Sequence, residues 1–232
     1  MLKRQTALER ALPIVACAYG EQFGVRVVLS GTNAGTDGNT IILPMLDEKH
    51  GLKDVLLGYL AHEAAHIRDT DFDVLNHCQS PLEKSFLNLL EDIRIEKLIQ
   101  GVFPGTQFTL CAMENYIAYK GWSSLPSLQD NEATQLFKYL YHRLYDEVLG
   151  RDCYKGMSEK GLPVVEQTFP PGFFIRLEGI VAKHLHNLSS SAHCLKVARA
   201  LLKALDDAEQ EVHQKEAQEK ATQPQQETPD SL

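Results

Sequence analysis

The sequence has 232 residues, of which 44% are hydrophobic, and carries a formal net charge of -8. This is an ordinary globular composition with enough apolar residues for a substantial core. The acidic balance argues against nucleic-acid binding, and no apolar stretch approaches the roughly 20 residues that cross a bilayer. The five cysteines are odd in number, widely spaced and free of CxxC pairs. The sequence therefore predicts no disulfide framework and no cysteine zinc site, and it favours a reducing, cytoplasmic setting.

The first part of the chain predicts one helix followed by two strands. Apolar residues recur at helical spacing over residues 1–19, where Pro13 is expected to bend or split the helix. Residues 24–30 are β-branched and bounded by glycines, so they read as a strand, and residues 40–44 read as a second one. Because proline cannot donate to a ladder, Pro44 places the second strand at a sheet edge. An extended peptide could pair with such an edge, or the strand simply closes a small sheet.

The next segment, residues 53–68, predicts a helix that carries the motif HEAAH. The i, i+4 spacing stacks His62 and His66 on one helix face, so both imidazoles can reach a single cation. Glu63 lies beside them and can hold a water on that cation, an arrangement typical of zinc hydrolases. Gly58, one turn earlier, would permit close packing of the helix.

Three aspartates at alternate positions, Asp69, Asp71 and Asp73, follow the second histidine. Their carboxylates could accept hydrogen bonds from the imidazoles and so orient them, or they could form a solvated loop. Asp69 follows His66 by less than one helical turn, so it is the best placed of the three to act on an imidazole.

A strong helix start follows, with Ser80 as the cap, Pro81 at the first position and Glu83 three residues after the cap. The pattern predicts a helix to about residue 100 that is apolar on two sides, as expected of a central helix. One of these sides contains Glu91. A carboxylate among apolar neighbours is costly to bury unless a partner or a cation compensates its charge.

Glu91 follows His66 by 25 residues and lies on the next helix, where a two-histidine site would find its carboxylate ligand. Two histidines and one carboxylate leave a fourth position for water or substrate, the pattern of a catalytic zinc. Asp92 and then Glu96 are the alternative ligands. Glu91 could instead form a salt bridge with Arg94, three residues on.

The sequence of the second half predicts helices that pack around the core, followed by an acidic tail. Helices are expected over residues 106–119, 131–149, 172–188 and 191–212. The sequence predicts one domain over residues 1–205 and a disordered, Gln/Glu-rich linker over residues 206–232. Candidates for a group that stabilises an oxyanion, each more often a core residue, are Tyr139, Tyr141, His142, Tyr145, His184 and His186.

HEAAH followed one helix later by the carboxylate of Leu90-Glu91-Asp92 resembles the gluzincin branch of the zincin metallopeptidases. The string GYLAHEAAHI with TDF, and then LEDIRIE, is similar to the N-terminal region of cobaltochelatase-subunit-like proteins of bacteria and phages. The resemblance covers roughly residues 24–105. It implies an α+β, zincin-like fold that is predominantly helical, with a small β-sheet next to the HExxH helix. It also implies Zn²⁺ ligation by His62, His66 and Glu91, with Glu63 as general base.

The resemblance also implies partners. In that family such a region is commonly followed by an acidic linker and a von Willebrand A domain, and its members are often associated with MoxR-type AAA+ ATPases. This chain ends after its acidic tail, so it is either a short member or a piece of a longer protein. Many gluzincins place an aspartate that orients a histidine four residues after the ligand glutamate, where this chain has Ile95. Asp69 or Asp92 would have to substitute for it.

The expected function is that of a zinc metallopeptidase that hydrolyses peptide bonds of a peptide or protein substrate. In this hypothesis zinc activates a water and Glu63 takes its proton. The alternative hypothesis is a catalytically idle, zinc-stabilised interaction module that works with a MoxR-type AAA+ ATPase and a von Willebrand A partner. A third possibility, metal insertion into a tetrapyrrole, depends on family association alone.

Overall fold

The structure, a computed structural model, describes residues 6–46 and 52–222, and its helical content of 71% accompanies a three-stranded sheet. The fold is therefore α+β and mostly helical, as predicted. The strands are β1 (Arg26–Leu29), β2 (Gly35–Thr36) and β3 (Thr40–Leu43). The helices are α1 (Ala7–Gly20), α2 (Lys53–Asp69), α3 (Phe72–Leu75), α4 (Pro81–Val102), α5 (Thr106–Tyr119), α6 (Glu132–Glu147), α7 (Met157–Thr168), α8 (Pro171–His184) and α9 (Ser191–Thr222). None of the described helices is both long and apolar enough to cross a membrane.

The small sheet has the strand order β1-β3-β2. β1 runs parallel to β3 with Val28 opposite Ile42, and β2 runs antiparallel to β3 with Gly35 opposite Ile42. The prediction that the second strand lies at an edge was therefore wrong. Pro44 follows Leu43, the last residue of β3, so its missing N–H removes no hydrogen bond from the ladder. The edges are formed by β1 and by the two-residue β2.

Helix α2, which carries HEAAH, packs on α1, on the sheet and on α5, and at Gly58 it approaches α5 closely. A Cβ atom added to Gly58 would lie 2.2 Å from the carbonyl oxygen of Thr109 and 2.7 Å from Cβ of Met113. Both atoms belong to α5, and the first is backbone. Gly58 therefore permits the close packing that the sequence predicted for it, because any side chain would separate the two helices.

We expect Gly58→Ala to lower the free energy of unfolding by about 1–3 kcal/mol, since the backbone of α5 must move to accept the methyl group. Gly101→Ala is the matched control, because Gly101 is helical and a Cβ added there meets no atom within 4 Å. Gly101 lies in the last turn of α4, so the change should stabilise by less than the roughly 1 kcal/mol of a helix interior. Urea unfolding curves of both variants measure the difference, and equal effects would contradict the close packing.

Two hydrophobic clusters make up the core, and α4 belongs to both. The first cluster contains α1, the sheet, α2 and α5, and takes Ile95 and Ile99 from α4. The second contains α6 to α9 and takes Phe86, Leu89 and other residues from α4. The prediction of a central helix that is apolar on two sides is confirmed.

The C-terminal part contains two features that were not predicted from the sequence. α7, residues 157–168, was not predicted, because Gly161 and Pro163 interrupt its helical pattern. α9 continues to Thr222, into the segment that was expected to be a disordered linker. Ala208 is buried, and Arg176 pairs with Glu211 at 2.7 Å. The alanine, glutamine, glutamate and lysine residues of this segment are good helix formers, so a packed helix can continue through them. Residues 223–232 of the predicted linker lie outside the described residues.

Candidate metal centre

Two histidines of α2 and an aspartate of α4 converge between the two helices. Nε2 of His66 lies 3.1 Å from Oδ1 of Asp92, and Nε2 of His62 lies 3.7 Å from the same oxygen. The three ligand atoms lie within 4.8 Å of one another. Tetrahedral zinc with ligand bonds of about 2.0–2.2 Å separates its ligand atoms by about 3.4 Å. The geometry is therefore close to that of three ligands that share one cation.

Both imidazole rings are held so that Nε2 points toward Asp92. Nδ1 of His62 lies 3.0 Å from Oε1 of Glu96, and Nδ1 of His66 lies 3.0 Å from Oγ1 of Thr70. When Nδ1 donates its proton to these oxygens, each Nε2 keeps a lone pair for a metal. The ionised carboxylate of Glu96 can only accept, so it fixes the tautomer of His62, and both Glu96 and Thr70 fix the direction of the candidate ligands.

The structure does not bring Glu91, the ligand expected from the sequence, into this group. Its Oε1 accepts a hydrogen bond of 2.7 Å from Oγ of Ser191 on α9, and its Oε2 accepts one of 3.0 Å from Nε of Arg94. Neighbouring residues are 100° apart around a helix, so Asp92 faces α2 while Glu91 faces α9. Burial raises the pKa of Glu91, but Arg94 and Ser191 outweigh burial and leave it below its ordinary value. The salt bridge with Arg94 is the role that Glu91 takes.

Asp69 does not orient a histidine either. Its carboxylate pairs with Nε of Arg68 at 3.2 Å, and its backbone carbonyl accepts a hydrogen bond from Arg94. The orienting carboxylate is Glu96. Counted from Glu91, the four-residue spacing gives Ile95. Counted from Asp92, the same spacing gives Glu96. The candidate ligand Asp92 and the orienting Glu96 can therefore both be found from the sequence.

A buried arginine compensates the negative charge of the orienting carboxylate. Glu96 is fully buried and accepts a hydrogen bond from Arg151, whose side chain is also buried. Burial raises the pKa of Glu96, but the hydrogen bond with His62 and the charges of His62 and Arg151 outweigh burial and lower it. Arg151 follows α6, between Leu149 and Tyr154 of the second hydrophobic cluster. The sequence reading missed it, because no local pattern marks an arginine that reaches across the fold.

The charges around the two imidazoles favour a cation between them. Burial alone lowers the pKa of His62, but the hydrogen bond to Glu96 and the charges of Asp92, Glu96 and Glu63 raise it to about 10. Burial raises the pKa of Glu63, which is 6% exposed, and the charge of His62 opposes that rise. The site is thus rich in negative charge and contains a buried carboxyl group beside the candidate ligands.

A cavity of about 340 Å³ opens beside the candidate metal centre. His62, Glu63 and Asp92 line one part of it, so Glu63 faces the space that a substrate would occupy. Its other walls are Thr32, Asn33, Ala34, Tyr59, Met113, Glu114, Ile117, Trp122, Tyr141 and Tyr145. Of the six candidates for an oxyanion-stabilising group, Tyr141 and Tyr145 line the cavity, whereas Tyr139, His142, His184 and His186 do not. Glu114 was not singled out from the sequence, because a lone glutamate in an amphipathic helix carries no motif.

Comparisons of the chain with protein-family models, with curated protein sequences and with solved structures find no match. The resemblance to zincin and cobaltochelatase-subunit-like proteins is thus carried only by the motif residues quoted above. The geometry of the candidate metal centre and its cavity is the independent basis for a proposed function.

Proposed function

We propose that the protein is a zincin-like, zinc-dependent metallopeptidase with His62, His66 and Asp92 as metal ligands and Glu63 as general base. The observation that carries the proposal is the convergence of these three ligand atoms at the wall of a cavity that Glu63 also lines. The proposal keeps the two histidines and Glu63 of the sequence prediction, and it replaces Glu91 by Asp92.

The donor set fits zinc. Two imidazole nitrogens and one carboxylate oxygen suit Zn²⁺, and three protein ligands leave a fourth position open, as in catalytic sites. Glu96 and Thr70 accept hydrogen bonds from Nδ1 of the two rings, which directs each Nε2 toward the position that zinc would take. When bound, zinc would polarise a carbonyl group and lower the pKa of a coordinated water toward 7.

The residues of the chain supply the proton transfers and the substrate contacts. Glu63 takes a proton from the attacking water and returns it to the leaving amine, the work of a general acid–base group. Burial raises the pKa of Glu63, which makes its carboxylate a stronger base. Residues 32–34 line the cavity just before β2, which is an edge strand. An extended peptide could therefore pair with β2, instead of the β3 edge expected from the sequence.

Metal analysis combined with a cleavage assay tests the proposal. We expect about one zinc per chain by elemental analysis and hydrolysis of a mixed peptide library by the zinc-loaded protein. Removal of the metal with a chelator should abolish cleavage, and stoichiometric zinc should restore it. A protein that binds no zinc would contradict the whole proposal.

Stoichiometric zinc without cleavage would favour the alternative, an interaction module in which the metal only fastens α2 to α4. In that case partner binding should survive Glu63→Gln, because Glu63 is not a ligand. The partners expected from the resemblance, a MoxR-type AAA+ ATPase and a von Willebrand A domain, are then the proteins to test in a binding assay.

A further inference from the structure

Five glutamates are buried in the described part of the chain, and their partners differ. Three of them pair with arginines: Glu83 with Arg199, Glu91 with Arg94, and Glu96 with Arg151. Glu63 faces the candidate metal centre. Glu114, on α5, is 1% exposed and has no ion pair with any described residue. A buried carboxylate without a cation is costly, so the position of Glu114 requires an explanation.

Two tyrosine hydroxyls fix the carboxyl group of Glu114 at the cavity wall. Tyr154 donates a hydrogen bond of 2.8 Å and Tyr141 one of 3.1 Å, both to Oε2. Within the described residues no hydrogen bond reaches Oε1. Burial and the charge of Glu96 raise the pKa of Glu114 to about 7, whereas the two tyrosines oppose the rise. One carboxyl oxygen is therefore anchored, and the other has hydrogen-bonding capacity left for a ligand.

The surrounding walls suit a long aliphatic stem that ends in a cation. Met113 and Ile117 are apolar, and Tyr59, Tyr145 and Trp122 present aromatic surface. Aromatic faces attract ammonium and guanidinium groups, and lysine and arginine stems pack well on apolar surface. Among the described residues that line this cavity there is no lysine and no arginine. The part of the cavity around Glu114 thus combines a carboxyl group without an ion pair with apolar and aromatic walls.

We propose that this cavity binds a lysine or arginine side chain of the substrate, next to the scissile bond, and that Glu114 is the residue that selects it. The inference deepens the proposed peptidase function and rests on it. A basic side chain provides the cation that Glu114 lacks, and the peptide bond beside that side chain then lies near His62, Glu63 and Asp92, which line the same cavity.

Cleavage of matched peptides tests the selection. Peptides that differ at one position, as lysine, arginine, citrulline, leucine or glutamate, are compared by kcat/KM with the zinc-loaded protein. We expect lysine or arginine to exceed citrulline and leucine at least tenfold, with glutamate the poorest. In Glu114→Gln the ratio of lysine to leucine should fall to within about threefold, because the uncompensated anion is gone. The matched control is Glu132→Gln, an exposed acid outside the cavity, which should keep the ratio of the wild type.

Fluorescence gives a second readout that needs no turnover. Trp122 is the only tryptophan of the chain and lines the cavity, so its emission reports occupancy. In Glu63→Gln, titration with a lysine-containing pentapeptide should give at least tenfold tighter binding than its citrulline or leucine counterpart. Cleavage without preference for a basic residue would overturn this inference and leave the peptidase proposal intact. Preferential binding of basic peptides without any cleavage by the wild type would support the selection by Glu114 and overturn the peptidase proposal. Equal binding of all peptides would overturn the inference.

Discussion

Glu63→Gln is expected to lower kcat for peptide cleavage by a factor of about 10² to 10⁴ while the zinc content stays at the wild-type level. A glutamine amide keeps the size of the side chain but cannot accept the proton of the attacking water. The three candidate ligand atoms belong to His62, His66 and Asp92, so the substitution removes none of them. Steady-state kinetics and elemental analysis of the same preparations measure both quantities.

The control for this variant is Asp54→Asn, the same change of acid to amide in the first turn of α2. It should leave both cleavage and zinc content unchanged, because Asp54 lies away from the metal centre. Cleavage by Glu63→Gln at the wild-type rate would exclude Glu63 as the general base. Loss of zinc in that variant would instead assign it a structural role.

Adjacent residues of α4 are expected to fail in different ways. Asp92→Ala should weaken zinc binding by more than about 100-fold, since loss of an orienting group alone costs 10–100-fold and Asp92 is a proposed direct ligand. Its fold should persist, because Asp92 is partly exposed. Glu91→Ala should lower the free energy of unfolding by about 3–5 kcal/mol, because Arg94 stays buried without its partner.

Zinc titration and urea unfolding of the two variants separate these outcomes. Glu91→Ala is measured for zinc at temperatures where it is folded, and it should then bind zinc with nearly the wild-type affinity. The reverse pattern, with zinc lost in Glu91→Ala and kept in Asp92→Ala, would restore the ligand set expected from the sequence. Glu132→Ala, an exposed acid at the start of α6, serves both assays as a control.

Much of the fold could be predicted, because its determinants are local. The bounds of α2 agree with the predicted helix within one residue, and the caps Ser80 and Asn131 accept the expected backbone hydrogen bonds. Strand order could not be predicted in this way. The position of β3 between two strands depends on a two-residue partner, β2, which no periodicity reveals in so short a segment.

The candidate site was predicted in its helix but not in its carboxylate. The i, i+4 rule fixes the two histidines on one face, whatever surrounds them. On α4, both sides of the helix are buried, so periodicity could not say whether the side of Glu91 or that of Asp92 meets α2. That choice depends on where α9 packs, more than ninety residues later in the chain, and Ser191 and Arg94 complete the surroundings of Glu91 there.

The membership of α4 in both hydrophobic clusters has a consequence for attempts to transplant the metal motif. A gene fragment that encodes only residues 24–105 carries the whole family resemblance, yet it lacks α6 to α9 as well as α1 and α5. Phe86 and Leu89, with the other residues that α4 contributes to the second cluster, would then form an uncovered apolar stripe. Stripes of this kind promote aggregation. Excision or grafting of the motif therefore has to bring the C-terminal helices with it.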